Sequence, residues 1–130
     1  MKNRSELLKE YLKANVVPVL VDYVFGEDLY DAVVIPADIK KEELTGHYEG
    51  ENYLPPKWYS ACADTVEGDI LIIDRIDTIP KEEQLKFVEL LEYRKVSTFE
   101  LPSNTVVMVT ANKISKDTIH EEILSLVAIV

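Results

Sequence analysis

The chain alternates short, nearly continuous apolar runs with longer amphipathic stretches. The apolar runs occupy 16–21 ("VVPVLV"), 31–37 ("DAVVIPA"), 69–74 ("DILIID"), 105–112 ("TVVMVTAN") and 124–130 ("LSLVAIV"). Runs this short and rich in β-branched residues predict strands buried on both faces, which is the pattern of a parallel sheet covered by helices. Pro18 lacks a ladder donor, so the first strand is expected to begin there.

Between the runs the spacing changes to that of helices. Leu7, Leu8, Tyr11 and Leu12 predict a helix over 4–14, and 80–95 predicts the clearest helix in the chain. Pro80 opens that segment, Glu82 and Glu83 follow in its first turn, and Arg94 and Lys95 stand in its last turn, each sign matching the helix dipole. Shorter helices are expected over 39–46, ended by Gly46, over 55–66, opened by two prolines, and over 116–124. The polar stretch 47–54, "HYEGENYL", reads as irregular. Together these elements predict an α/β fold: a three-layer αβα sandwich with a mainly parallel five-stranded sheet, in one domain over 1–130.

Composition narrows the function. No apolar run approaches the length of a membrane span, and the first fifteen residues lack the apolar core of a secretion signal. The lone Cys62 excludes an internal disulfide and fits a reducing cytoplasm. A formal net charge of -10 repels nucleic acid and anionic membranes, so the expected partner is a protein or a second copy of the chain. His47 and His120 lie far apart without metal-ligand spacing and read as solvated residues, and there is no Gly-x-Ser-x-Gly elbow. Tyr48, Tyr53, Trp58 and Tyr59 cluster in a short segment. Core packing is the ordinary role of a tryptophan, but tyrosines in a polar, glycine-containing stretch also suit partner contacts.

In a parallel sheet, ligands bind at the carboxyl ends of the strands. Asp74 ends the third run and Asn112 ends the fourth. A strand-terminal aspartate can hold magnesium, usually through water, and a polar side chain on a neighbouring strand can orient an attacking water. Aspartates after buried strands are, however, common turn starters, and taken alone that is the ordinary reading of Asp74.

The text around these positions resembles a family. "LLKEYLKANVVPVLV", "IKKEELTG" and the stretch 54–113 are similar, in order and nearly in spacing, to the nucleotide-binding core of AAA+ ATPases of the MoxR-like branch. The resemblance is strongest from Leu54 to Lys113 and implies a P-loop NTPase-like core. It makes Asp74 the Walker B aspartate, a vestigial magnesium position, and Asn112 the sensor-1 residue.

The chain departs from that family where chemistry is concentrated. The family places a GxxxxGK loop after the first strand, whose amides and lysine cradle the phosphates. Here that place reads "DYVFGEDLYDAVVIP", with Gly26, no lysine, and the acidic Glu27, Asp28 and Asp31. About nine residues separate the first two strands, where a parallel crossover needs a dozen or more. Arg75 stands where the family has its water-activating glutamate, and a guanidinium cannot accept a proton. Asp77 is a weak substitute, since on a strand it projects to the same side as Arg75. No arginine follows Arg94 to serve as a finger, and the sequence ends at Val130, where the family continues into a helical lid.

The resulting expectation is a truncated AAA+-like domain that does not hydrolyse ATP, holds neither ATP nor magnesium, and acts through protein contacts. An ion pair between Arg75 and Glu27, Asp28 or Asp31 is expected to close the vacated site. The alternative is an ATP-binding subunit that completes its site, with ATP and magnesium, from a neighbour in a ring. A third reading is a small binding module unrelated to the family.

Overall fold

The computed structural model describes residues 4–14, 17–23, 32–63, 70–96, 99–103 and 105–130, the side chains of Arg4, Ser5, Tyr11, Cys62 and Ala63 excepted. Helix α1 (Arg4–Ala14) leads into β1 (Val19–Asp22), which begins just after Pro18 as expected. Then come β2 (Val33–Pro36), α2 (Lys41–Thr45), β3 (His47–Glu49), β4 (Asn52–Leu54) and α3 (Lys57–Ala63). Strand β5 (Ile70–Asp74) is followed by a 3-10 turn over Ile76–Thr78, then α4 (Lys81–Gln84), a 3-10 turn over Leu85–Phe87, and α5 (Val88–Tyr93). The chain closes with β6 (Lys95–Val96), β7 (Phe99–Glu100), β8 (Val106–Ala111), α6 (Glu121–Leu126) and β9 (Ala128–Ile129).

The five apolar runs form one five-stranded sheet in the order β2-β5-β8-β1-β9, with every pairing parallel. Pleating sends alternate residues to opposite faces. On one face Leu20, Ile35, Leu71, Ile73, Val107 and Val109 join Leu44 of α2, Trp58 of α3, Leu90 and Leu91 of α5 and Ile123 of α6 in the main core. On the other, Val19, Val21, Ile72 and Met108 pack against Leu8 and Leu12 of α1. Helices therefore cover both faces. The continuous apolar runs have this cause: in the central strands each side chain, whichever way it points, meets a helix.

Four local expectations need correction. The stretch 47–54 is a β3–β4 antiparallel hairpin, with Tyr48 opposite Tyr53. Gly50, at φ 64°, takes the first central turn position, and Glu51 stays outside the left-handed region, the Gly-X pattern of a type II′ turn. The long helix over 80–95 is segmented, and Pro80 is its N-cap. Arg94 leaves the helix in a left-handed conformation at φ 56°, and Lys95 already belongs to a strand. Its guanidinium donates to the carbonyls of Pro102, at 3.1 Å, and Thr105, at 2.6 Å, tying the end of α5 to the approach to β8.

The helix expected over 116–124 starts only at Glu121, because Ser115 and Thr118 close turns on their own backbone ahead of it. His120 is its N-cap, Nδ1 accepting the amide of Glu122 at 3.1 Å. Leu124, Ser125 and Leu126 belong to α6, which leaves two residues of the last run in a strand.

Gln84 is the polar residue on which this half of the fold turns. Its side chain is fully buried. Nε2 donates to Ile79 O at 3.3 Å and Thr118 O at 2.9 Å, while Oε1 accepts from His120 N at 2.8 Å. One amide thus binds α4, the turn before it, and the loop that launches α6. Replacing it with leucine leaves buried backbone groups unpaired at about 1–3 kcal/mol each. Gln84→Leu is expected to lower the urea unfolding free energy by about 2–4 kcal/mol. A loss under about 0.5 kcal/mol would contradict this assignment.

Candidate functional site

The carboxyl ends of β1, β5 and β8 lie side by side, with β8 in the middle. Asp74 ends β5, Asn112 follows β8, and Tyr23 follows β1. The sheet register pairs Ile73 with Val109 and Val21 with Thr110, so Thr110 stands in the row beside Asp74.

Thr110 is nearly fully buried and uses its hydroxyl twice. Oγ1 accepts the backbone amide of Arg75 at 2.8 Å and donates to Asp74 Oδ1 at 3.2 Å. The other carboxylate oxygen, Oδ2, accepts from Arg75 Nε at 3.0 Å and lies 3.0 Å from Nη2. The guanidinium carbon sits 4.5 Å from the centre of the Tyr23 ring. Arg75 is therefore held between the carboxylate of Asp74 and an aromatic face from the end of β1, with 44% of its side chain exposed and 17% of that of Asp74.

This geometry requires an unusual backbone. Arg75 adopts φ 50°, ψ 62°, a left-handed conformation that costs a residue with a Cβ about 1–2 kcal/mol. The bend starts the 3-10 turn, whose Thr78 returns both its amide, at 3.0 Å, and its hydroxyl, at 2.8 Å, to Arg75 O. Leaving the strand also redirects Asp77. Its two oxygens accept the amides of Asn112 and Lys113, each at 2.9 Å, so it clamps the chain leaving β8 and does not take up a catalytic position beside Arg75. The side chain of Asn112 stands exposed at the same edge.

Chemically, the arrangement supplies both oxygens of the carboxylate with partners from the same chain. Magnesium requires oxygen ligands with little competing charge. The Asp74 oxygens already face a guanidinium and a hydroxyl, and a divalent cation there would meet the positive charge of Arg75 at close range. The described residues around Asp74 do not fit a magnesium ion at this position. Among the described residues, no three His, Cys, Asp or Glu side chains gather as a metal site. The acids expected to pair with Arg75, Glu27, Asp28 and Asp31, and the connection they occupy lie outside the described residues; the partner seen is Asp74.

The aromatic candidates separate into two groups. Tyr48, 73% exposed, packs its ring 4.8 Å from Tyr53, which stacks on Phe99 at 5.4 Å. Tyr59 meets the same Phe99 at 5.4 Å. The Tyr53 hydroxyl donates to Thr45 O, and that of Tyr59 donates to Glu100 O at 2.8 Å. Trp58, by contrast, is a core residue, 7% exposed, whose indole donates to Leu44 O at 3.0 Å.

Sequence reasoning did not single out Thr110, Tyr23 or Phe99. Only Thr110 carried a signal, as the polar member of an otherwise apolar strand.

Asp77→Ala frees two amides from a charged acceptor and is expected to destabilise the protein by about 1.5–3 kcal/mol in chemical denaturation. Arg75→Gly relieves the left-handed strain while losing a half-exposed ion pair worth about 0–1 kcal/mol. It should leave stability within about 1 kcal/mol of the parent, or raise it. A larger loss from Arg75→Gly than from Asp77→Ala would show that the ion pair, and not the Asp77 clamp, holds this edge together.

No protein-family model matches the chain, and no curated protein matches it.

Proposed function

We propose that the chain is a degenerate AAA+-like core of the MoxR-like branch that does not hydrolyse ATP and acts through protein contacts, in the cytoplasm. The observation that carries this reading is the engagement of Asp74 by Arg75 and Thr110, which gives the position of a metal-bearing aspartate its own counter-ion. A working site needs that carboxylate available to hydrated magnesium and a neighbouring base able to take a proton. Here the neighbour is a permanent cation.

Two further observations support the lineage. The sheet places the first strand between the fourth and the last, with the Asp74 strand one further out, an all-parallel order compatible with the mainly parallel core that the resemblance implies. It differs from the orders of the dinucleotide-binding and flavodoxin-like sheets. The Asp74 strand and the Asn112 strand are direct neighbours, as a Walker B and sensor-1 pair would be. In favour of protein contacts, the hairpin presents Tyr48 outward on an aromatic support of Tyr53 and Phe99. No described helix is long and apolar enough to cross a membrane.

Calorimetric titration with magnesium and ATP is expected to show binding no tighter than about 1 mM. Arg75→Glu, which restores the family's carboxylate, is expected to release no phosphate above background, because the sequence contains no Gly-Lys pair to cradle a triphosphate. A dissociation constant of tens of micromolar, about -6 kcal/mol, would overturn the reading, as would hydrolysis by the substituted protein.

A further inference from the structure

A pocket of about 430 Å³ opens between α2 and α3, beside the root of the β3–β4 hairpin. Its floor is apolar, formed by Ile39, Pro55, Pro56 and Trp58. Its volume falls in the range of sites that hold small ligands or peptide side chains, about 300–1,000 Å³.

The walls are fixed by bonds that do not depend on an occupant. The Trp58 indole is tied to Leu44 O at 3.0 Å. Lys86 Nζ donates to Ile39 O at 2.7 Å, holding the far side of the floor, and burial lowers that ammonium from its ordinary pKa against the pull of Glu83 and Asp38. Gly46, at φ 87°, joins α2 to the hairpin where an added Cβ would lie 2.3 Å from Leu54 O, so no larger residue fits there. The Tyr53 hydroxyl closes the junction by donating to Thr45 O. A pocket shaped in advance binds without the cost of ordering its walls.

The rim decides what enters. Glu42 and Glu43, both exposed on the first turn of α2, face an opening whose other charged members are Lys57 and His47. Two carboxylates there stand against the Lys57 ammonium, in a chain of formal net charge -10. Positive charge beside an apolar group is therefore favoured.

We propose that this pocket receives a short segment of a partner protein in which a leucine-sized apolar side chain is flanked by lysine or arginine: the apolar group on the Ile39–Trp58 floor, the cation against Glu42 and Glu43. The proposal rests on the reading of the chain as a protein-contact domain and names the chemistry of the partner.

Trp58 is the sole tryptophan and lines the pocket, so its fluorescence reports occupancy without a label. Three capped pentapeptides serve as probes: Lys-Leu-Lys-Leu-Lys, Glu-Leu-Glu-Leu-Glu and Lys-Gly-Lys-Gly-Lys. The first is expected to give a saturable change with a dissociation constant of about 0.1–1 mM, and the other two to bind at least about tenfold more weakly. The double variant Glu42→Lys, Glu43→Lys, altered only on an exposed helix face, should reverse the preference between the first two.

No saturable change with the first peptide, an equal response to the acidic one, or an unchanged preference in the double variant would overturn the proposal. So would isoamylamine binding as tightly as the first peptide, since the site would then take small amphiphilic cations. Tight magnesium–ATP binding alongside the expected peptide behaviour would overturn the non-hydrolysing reading and leave the pocket standing. Absence of both ATP and peptide binding would do the reverse.

Discussion

A carboxylate at the end of a strand buried on both faces must find a counter-charge or hydrogen-bond donors, and much of this molecule's local architecture follows from how Asp74 finds them. Its neighbours on the sheet are apolar except Thr110, which satisfies one oxygen. The other is reached by the next residue, and an arginine one position along can fold back onto the same carboxylate only if the backbone turns sharply. That turn is the left-handed Arg75, and the turn in turn starts the 3-10 segment that aims Asp77 at the chain leaving β8. The strand end thereby becomes a set of mutual contacts among Asp74, Arg75, Thr110 and the Asp77 turn.

The sheet itself does not depend on this edge. Its stability comes from two separate apolar clusters, one on each face, and each buried Leu, Ile, Val or Met contributes about 1.5–3 kcal/mol relative to exposure. A fold held this way can change its chemistry at the strand ends while its core stays as it was, because packing and catalysis draw on different residues. The same separation explains why the hairpin, α2 and α3 can form a rigid pocket of their own: their junction is fixed by Gly46, Trp58 and Tyr53, none of which belongs to the strand-end cluster.

The strands were legible in the sequence because burial on both faces turns them into continuous apolar runs, and α1 because only one of its stripes is buried. Legibility failed where a periodicity was shared or where a tertiary partner decided the outcome. "LSLVAIV" is apolar enough for a strand throughout, yet half of it completes α6. "HYEGENYL" is too polar to signal strands, and its pairing rests on one glycine and two facing tyrosines. The helix over 80–95 is segmented and capped early. Asp74 and Asn112 were visible as strand-end residues, whereas the bonds that occupy Asp74 come from Thr110, thirty-six positions away, and from a backbone bend that no spacing rule announces.

The central proposal is that Arg75, paired with Asp74, leaves no place there for a metal-bound nucleotide. It is tested most directly by titrating the isotope-labelled protein with manganese and ATP and following paramagnetic broadening of its backbone amide signals. If Arg75 closes the site, the amides of Asp74, Thr110 and Asn112 should broaden no more than those around the exposed acids elsewhere on the surface. Selective broadening of those three at micromolar manganese–ATP would contradict the account.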